Sequence, residues 1–380
     1  MVSRRRTARR ALPLLVTLAL SAGAGCSSHG SRPTEPVATT AGGRPIDERL
    51  TPEIATRAFR SYVQNDDVAR ASGDERLALS WADDGQAQLT AAEFRKAAFT
   101  GDPVPRYAYS RQRFYVPRLT QYPKWFVVTA DRSSGFAPGA RGAPGARAGS
   151  GASGESSGRD DKQAVLMAFV RKSADSRWRL SLSTSLEPKV KQPQITVSED
   201  GYATPLATFD IGLVIQPRIV PAMQATLAEE GPESLATKVM LAGAHTSGYY
   251  LRDQHNEARN KERGLAYDSV YAATGFPIYS LRTADGGGLV LYALSRNTVT
   301  FVKDKRHGHL SVPRDAAHLL DTIVLKDELD VTETLQFAAA VPAKPPSAKN
   351  KTPVPGKAPA KASVIAADGA VISAETSEAD

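Results

Sequence analysis

The sequence predicts an α+β fold in two similar halves, each a run of helices followed by an antiparallel meander. Apolar residues recur near every 3.6 positions from Ile54 to Phe99, then alternate with polar ones from Arg106 onward. Helices first and strands second is the order of an α+β unit. The same change of period recurs after Pro217. Residues 165–171 and 290–296 also match at four of seven positions, each after a Thr-Ala-Asp tripeptide (129–131 and 283–285). A duplicated unit would leave that trace.

In the first half, Thr51 can cap a helix and Pro52 fits its first position. Ile54, Ala58, Phe59, Tyr62 and Val63 then form an apolar stripe. Thr90-Ala91-Ala92-Glu93 has the spacing of a capping box, with Leu89 and Phe94 as a hydrophobic staple, and predicts a helix start. Residues 106–116 and 125–130 are rich in aromatic and β-branched side chains, as strands are. Trp178, Leu180, Leu182, Thr184 and Leu186 alternate with Arg179, Ser181 and Ser183, which predicts a strand with one buried and one wet face.

The second half is expected to start near Pro217, with helices over 220–229 and 234–242 and strands from about Thr246. Asp285-Gly286-Gly287-Gly288 is hairpin-turn chemistry. At the corresponding turn of the first half stands a Gly/Ala/Ser/Arg-rich insert, residues 133–162, where an exposed hairpin tip tolerates added chain. A Pro/Lys-rich segment, 342–363, precedes a final hairpin strand or two at 364–366 and 370–373.

A helical start folded on a curved antiparallel sheet resembles the cystatin-like roll shared by nuclear-transport-factor-2-like and ketosteroid-isomerase-like proteins. The resemblance covers residues 51–188 and, less clearly, 221–342. It implies two tandem rolls, each enclosing a conical pocket between helices and sheet. The expected organisation is a leader at 1–25, a tether at 26–48, a first roll at 49–200 and a second at 201–380.

Composition excludes several classes. One Cys in 380 residues rules out a disulfide framework or a thiolate-rich metal site. No stretch of about 18 apolar residues occurs, so no polytopic membrane protein is expected. Of the formal charge of +8, five units come from Arg4, Arg5, Arg6, Arg9 and Arg10. Five more come from Lys344, Lys349, Lys351, Lys357 and Lys361, which leaves −2 for the rest. A near-neutral body gives no case for nucleic-acid binding. The lysine-bearing tail reads most simply as a solvated linker.

The leader is the most specific feature. Its arginines precede a short apolar run over 11–24 and then Gly25-Cys26. A basic start, an apolar middle too short to span and small residues before the cut are the requirements for export. The segment resembles a bacterial lipoprotein signal. That resemblance implies cleavage between Gly25 and Cys26 and a diacylglycerol anchor on the Cys26 thiol. Ala22-Gly23-Ala24 also reads as an ordinary signal-peptidase site that would release a soluble chain from Gly25. Residues 27–45 hold little to bury, as a tether would. The leader, the tether and the Ala/Arg-rich loops together resemble actinobacterial envelope lipoproteins. The expected location is the outer face of the cytoplasmic membrane, with secretion as the alternative.

Catalytic signals lose to simpler explanations. Residues 154–158 match G-x-S-x-G and 149–154 match G-x-G-x-x-G, but both lie in low-complexity loop, without the strand–turn–helix context that gives such motifs their chemistry. His307 and His309, with His318, Asp304 or Asp315, have metal-site composition, yet Lys305 and Arg306 beside them disfavour a cation. His245 reads as a cap or a satisfied core residue. The acidic neighbours Asp66-Asp67, Asp83-Asp84, Glu199-Asp200, Glu229-Glu230 and Asp327-Glu328 should point in different directions and form no catalytic pair. Asp131 and Asp285 are explained by turn chemistry. Tyr62, Tyr107, Tyr109 and Tyr115 could donate into a roll pocket, although core or sheet-face packing is their ordinary use. No catalytic residue, cofactor or metal ligand is assigned.

The expected function is non-catalytic. The partners are the bilayer through Cys26 and an envelope protein or small ligand, with no nucleic acid. The alternatives are an extracytoplasmic roll-fold enzyme acting on a small apolar substrate, or a substrate-binding lipoprotein serving a transporter. Ionisable groups converging inside a pocket would distinguish enzyme from binder.

Overall fold

Two α+β halves share one continuous antiparallel sheet. The computed structural model describes residues 49–134, 162–303, 309–320, 322, 324–345 and 360–378. Gly25 and Cys26, the leader and the tether lie outside the described residues. So do both glycine motifs, Asp304, His307, and most of the insert and the Pro/Lys-rich segment.

The first half runs α1 (Pro52–Ser72), α2 (Glu75–Leu79), α3 (Asp84–Thr100), β1 (Tyr107–Tyr115), β2 (Lys124–Ser134), β3 (Gln163–Arg171) and β4 (Arg179–Leu186). Thr51 Oγ1 caps α1 by accepting from the Ile54 amide, and Gly73 ends it in the left-handed conformation. α3 starts earlier than its capping box suggests, because Asp83 caps it. Thr90 and Glu93 therefore lie inside the helix, and the Glu93 carboxylate is free to reach Arg70 and Tyr107.

The second half runs α4 (Val220–Glu230), α5 (Ser247–Glu262), β5 (Leu265–Ala273), β6 (Tyr279–Arg282), β7 (Gly288–Val302), β8 (Glu328–Val341) and β9 (Ser363–Ser377). The expected helix at 234–242 shrinks to one 3₁₀ turn, Leu235–Lys238. Strands begin only after α5, a helix so polar that its pattern carries no clear apolar stripe. The two short strands expected at the end are one long strand, β9, paired along β8.

Strand order is β1-β2-β3-β4-β9-β8-β7-β5, with β6 continuing β5 along the same edge of β7. The last strands of the two meanders meet where Ser185 pairs with Ala367 and Leu186 with Ala366. The segments that match in sequence, 165–171 and 290–296, both lie in strands paired on either side. The shared tripeptides do not correspond. Residues 129–131 sit within β2, whereas 283–285 lead into the turn before β7.

Four layers result. Phe126, Val128, Met167 and Phe169 face α1, where Phe59 and Tyr62 pack edge-on against Phe169. The alternate residues Val127, Leu166, Ala168 and Val170 face Tyr279, Leu281, Leu289 and Leu291 of the other half. Beyond those, Val290, Tyr292 and Leu294 face α4 and α5 through Leu227 and Tyr249. The order is helices, sheet, sheet, helices, so the central strands are buried on both faces. The two halves thus share one sheet and an inter-sheet core. β4 has no wet face: Ser181, Ser183 and Ser185 are all buried.

Candidate functional site

On α1 the apolar stripe gives way after Tyr62 to Asp66 and Arg70, one turn apart on the inward side. The Arg70 side chain is only 4% exposed. A guanidinium so placed needs every charge and hydrogen bond answered. Its Nε lies 2.7 Å from Asp66 Oδ2, and its Nη1 is 2.7 Å from Glu93 Oε2 and 2.9 Å from the Pro105 carbonyl oxygen. The Tyr107 ring centroid is 4.6 Å from the guanidinium carbon. Tyr107 donates its hydroxyl to Glu93 Oε1 at 2.7 Å. Burial, followed by the Glu93 charge, raises the Tyr107 pKa. Burial likewise raises the Asp66 carboxyl, against the opposing pull of Arg70.

From β2, the Arg132 guanidinium lies 4.8 Å from the centroid of that same tyrosine ring. It donates to Ser185 Oγ at 3.2 Å and lies 3.9 Å from Asp368 Oδ2 on β9. Lost hydration raises the Asp368 carboxyl, and Arg132 partly offsets this. Arg70, Glu93, Tyr107, Arg132 and Asp368 line a cavity of about 280 Å³, whose wall also holds Tyr62, Tyr109, Gln86, Ser183, Lys96, Asp315 and His318 beside apolar residues such as Leu89, Leu180 and Val371. Three cations (Arg70, Lys96, Arg132) face three carboxylates (Glu93, Asp315, Asp368), so the wall is charge-balanced. Gln86 Oε1 is buried without a hydrogen-bond partner among the described residues. The His318 ring nitrogens make no hydrogen bond of normal geometry, although the Ala92 carbonyl oxygen lies close enough to favour the protonated ring. Burial, then Lys96, lowers the His318 pKa. Its imidazole is held towards the neutral form, which offers one donor and one acceptor.

The family model for a domain of unknown function, DUF8094, matches residues 47–375. The chain belongs to the DUF8094 family. That match takes in every residue of the cavity and both halves of the sheet. An uncharacterised lipoprotein of Streptomyces avermitilis is 26% identical over 243 residues, 63% of each chain. The DUF8094 chain thus covers less than two thirds of that relative's length. A second uncharacterised lipoprotein, from Streptomyces coelicolor, is 25% identical over 89% of this chain and 91% of its own. No solved structure matches. No helix among the described residues is long and apolar enough to cross a membrane.

The residues singled out in the sequence separate cleanly. Tyr62, Tyr107 and Tyr109 stand on the wall of one cavity. Tyr115 does not: it belongs to the inter-sheet core, where its hydroxyl accepts from Gln192. His245 is satisfied, with Nε2 2.6 Å from Glu187 Oε1 and Nδ1 3.3 Å from the Tyr249 hydroxyl. No three metal-binding side chains gather among the described residues, and His318 faces the cavity instead. Asp66 and Asp67 diverge as expected, towards Arg70 and Arg106.

Two expectations need correction. Asp83 and Asp84 converge, 2.9 and 3.1 Å from Lys172 Nζ, because Asp84 takes a positive φ of 48° at the start of α3. Asp131 is a strand residue paired with Arg111, not a turn former, whereas Asp285 does accept from the Gly287 amide in its turn.

Sequence reasoning missed Arg70, Arg132 and Asp368 as a group, since they come from α1, β2 and β9. Asp66 and Arg70 interrupting an apolar stripe is the one local signal. The second half holds a cluster of like composition from different elements. There Arg296 of β7 lies 2.5 Å from Asp253 Oδ1, 2.7 Å from Glu333 Oε2 and 2.7 Å from the Tyr267 hydroxyl.

Proposed function

We propose that this DUF8094 protein is a lipid-anchored envelope protein whose cavity around Arg70, walled by both halves, binds a small, polar, uncharged molecule. The observation that carries the binding role is the charge-balanced wall with buried polar atoms that lack a hydrogen bond of normal geometry: Gln86 Oε1 and the His318 ring nitrogens. Buried polar atoms without partners are costly, and a ligand or water that bonds them removes that cost. A wall with equal numbers of cations and anions favours neither a cationic nor an anionic guest. Tyrosine rings with planar amide and guanidinium groups suit a polyhydroxyl ring, which has apolar faces and a hydroxyl rim. A volume of about 280 Å³ is close to the roughly 300 Å³ lower end for ligand sites. The convergence of ionisable groups in this cavity is the feature expected of the enzyme alternative, but its polar wall does not suit the small apolar substrate of that reading.

The anchor is proposed through Cys26 at the outer face of the cytoplasmic membrane. The basic and apolar leader before Cys26 supports it, and both relatives bear the name lipoprotein. We further propose that the two halves descend from one cystatin-like roll, on the strength of the match between β3 and β7.

Two measurements test these proposals. Intact mass and membrane fractionation of native protein and Cys26→Ala should give a diacylglyceryl increment and membrane association, both lost in the variant. A soluble chain starting near Gly25 would sink the anchor. Saturation-transfer NMR with glucose, N-acetylglucosamine and inositol should detect binding that weakens about tenfold in Arg132→Gln. Silence from all three, or equal signals from the variant, would remove the cavity reading.

A further inference from the structure

A helix lying on a sheet ordinarily turns aliphatic side chains towards it. α5 does so only near its start, where Tyr249 packs on Tyr271 and Phe337. Its second half turns Asn256, Arg259 and Asn260, followed by Arg263 just past its end, to a cavity of about 390 Å³ above β5, β7, β8 and β9. Their spacing of three, four and seven residues is that of one helix face. This cavity shares Asp315 and Val371 with the wall of the first but lies beneath α5 instead of α1 and α3.

Its floor charge is already answered, because Arg296 is bound to Glu333 and Asp253. Arg259 and Arg263 have no carboxylate within ion-pair distance among the described residues, and Arg263 makes only 3.4 Å contacts to the His309 carbonyl oxygen and Ser311 Oγ. Asp315 is the one remaining acid on the wall. With Asp253 counted, the arginines and carboxylates are equal in number, so what sets this cavity apart is two guanidinium forks without a carboxylate partner among the described residues, rather than net charge. Two like charges four residues apart destabilise a helix. The carboxyl end of the helix dipole does favour cations, but Lys261 on another face already serves that end. The dipole does not require both arginines on the sheet-facing side. Thr298, Thr300 and Ser311 add hydroxyls to the same wall.

We propose that this cavity is a second site, which takes a phosphate-bearing small molecule through Arg259 and Arg263. Two guanidinium forks and several hydroxyls supply enough donors for the non-bridging oxygens of a phosphate monoester or diester. The source is either a soluble ester or a lipid headgroup. The proposal does not depend on the first cavity or its ligand.

The test is calorimetric titration of the full mature protein with inorganic phosphate, glycerol 3-phosphate and vesicles of phosphatidylcholine with or without phosphatidylglycerol. Wild type, Arg259→Gln/Arg263→Gln and a charge control, Arg218→Gln/Lys238→Gln, are compared after unfolding curves show all three folded. The expected result is binding that weakens with added salt, falls at least tenfold in the arginine variant and persists in the control. Response to the soluble phosphates assigns a free ester; response only to phosphatidylglycerol vesicles assigns a headgroup. No binding to any of these probes overturns the proposal, as does a loss no larger in the arginine variant than in the charge control. If the arginine variant does not fold, Arg263→Lys alone is titrated. Retained charge with a lost fork should still weaken binding, and unchanged affinity overturns the proposal.

Discussion

Arg70 sets the character of the first cavity, because one buried guanidinium fixes two carboxylates and a tyrosine around it. Removing it strands Asp66 and Glu93 without their cation. Arg70→Met should therefore lower stability by about 3–5 kcal/mol, read as a shift in the urea midpoint. Tyr279→Phe should cost less. Its hydroxyl donates to Ser181 Oγ, which still donates to Asp84 Oδ2 in the variant, so about 1 kcal/mol is expected by the same assay. Asp368 gives a pH signature. Its carboxyl is raised in the folded state, first by burial and against Arg132, so the folded chain keeps a proton that the unfolded chain releases above pH 3.8. Its contribution is fully present below that value and is lost as pH rises through the raised folded pKa. Asp368→Asn should flatten that part of the stability curve, measured by urea unfolding between pH 3.5 and 6. An unchanged slope would contradict the assignment.

At the scale of elements, helix ends were legible where a short-range device decides them, as with Thr51 and Pro52 at α1. They were misread where a competing cap prevails, as with Asp83 over Thr90 in α3. Gly231 shows how strictly some ends are set. It leaves α4 with φ of 75° and ψ of −158°, and a Cβ there would come within 2.5 Å of the Tyr250 ring. Gly231→Ala should destabilise by roughly 1–3 kcal/mol, visible as a lower melting temperature. The alternation in β4 was read correctly as a strand, but its serines face a polar cavity and α3 rather than solvent. A period of two reports that the faces differ in polarity; it does not report which face meets water.

For the whole molecule, the consequence of the shared sheet is cooperativity. All three tryptophans, Trp81, Trp125 and Trp178, lie in the first half. Tryptophan fluorescence therefore follows that half while far-ultraviolet circular dichroism follows both. With Val127 and Leu166 packed on Leu281 and Leu289, the two probes should give coincident urea transitions. Separated transitions would mean that the inter-sheet core contributes little.

The sequence by itself determined the α+β class, the order of helices before strands in each half and the lipoprotein-like leader. These depend on local periodicity, capping and composition, which a linear chain displays directly. Only the tertiary structure decided that the halves share a sheet, because pairing of β4 with β9 joins residues about 180 positions apart. It alone brought Arg70, Arg132 and Asp368 to one cavity and turned the polar face of α5 onto another. Such sites join side chains from elements far apart in sequence, so a local pattern can show one contributing face, as at Asp66 and Arg70, but not which faces meet.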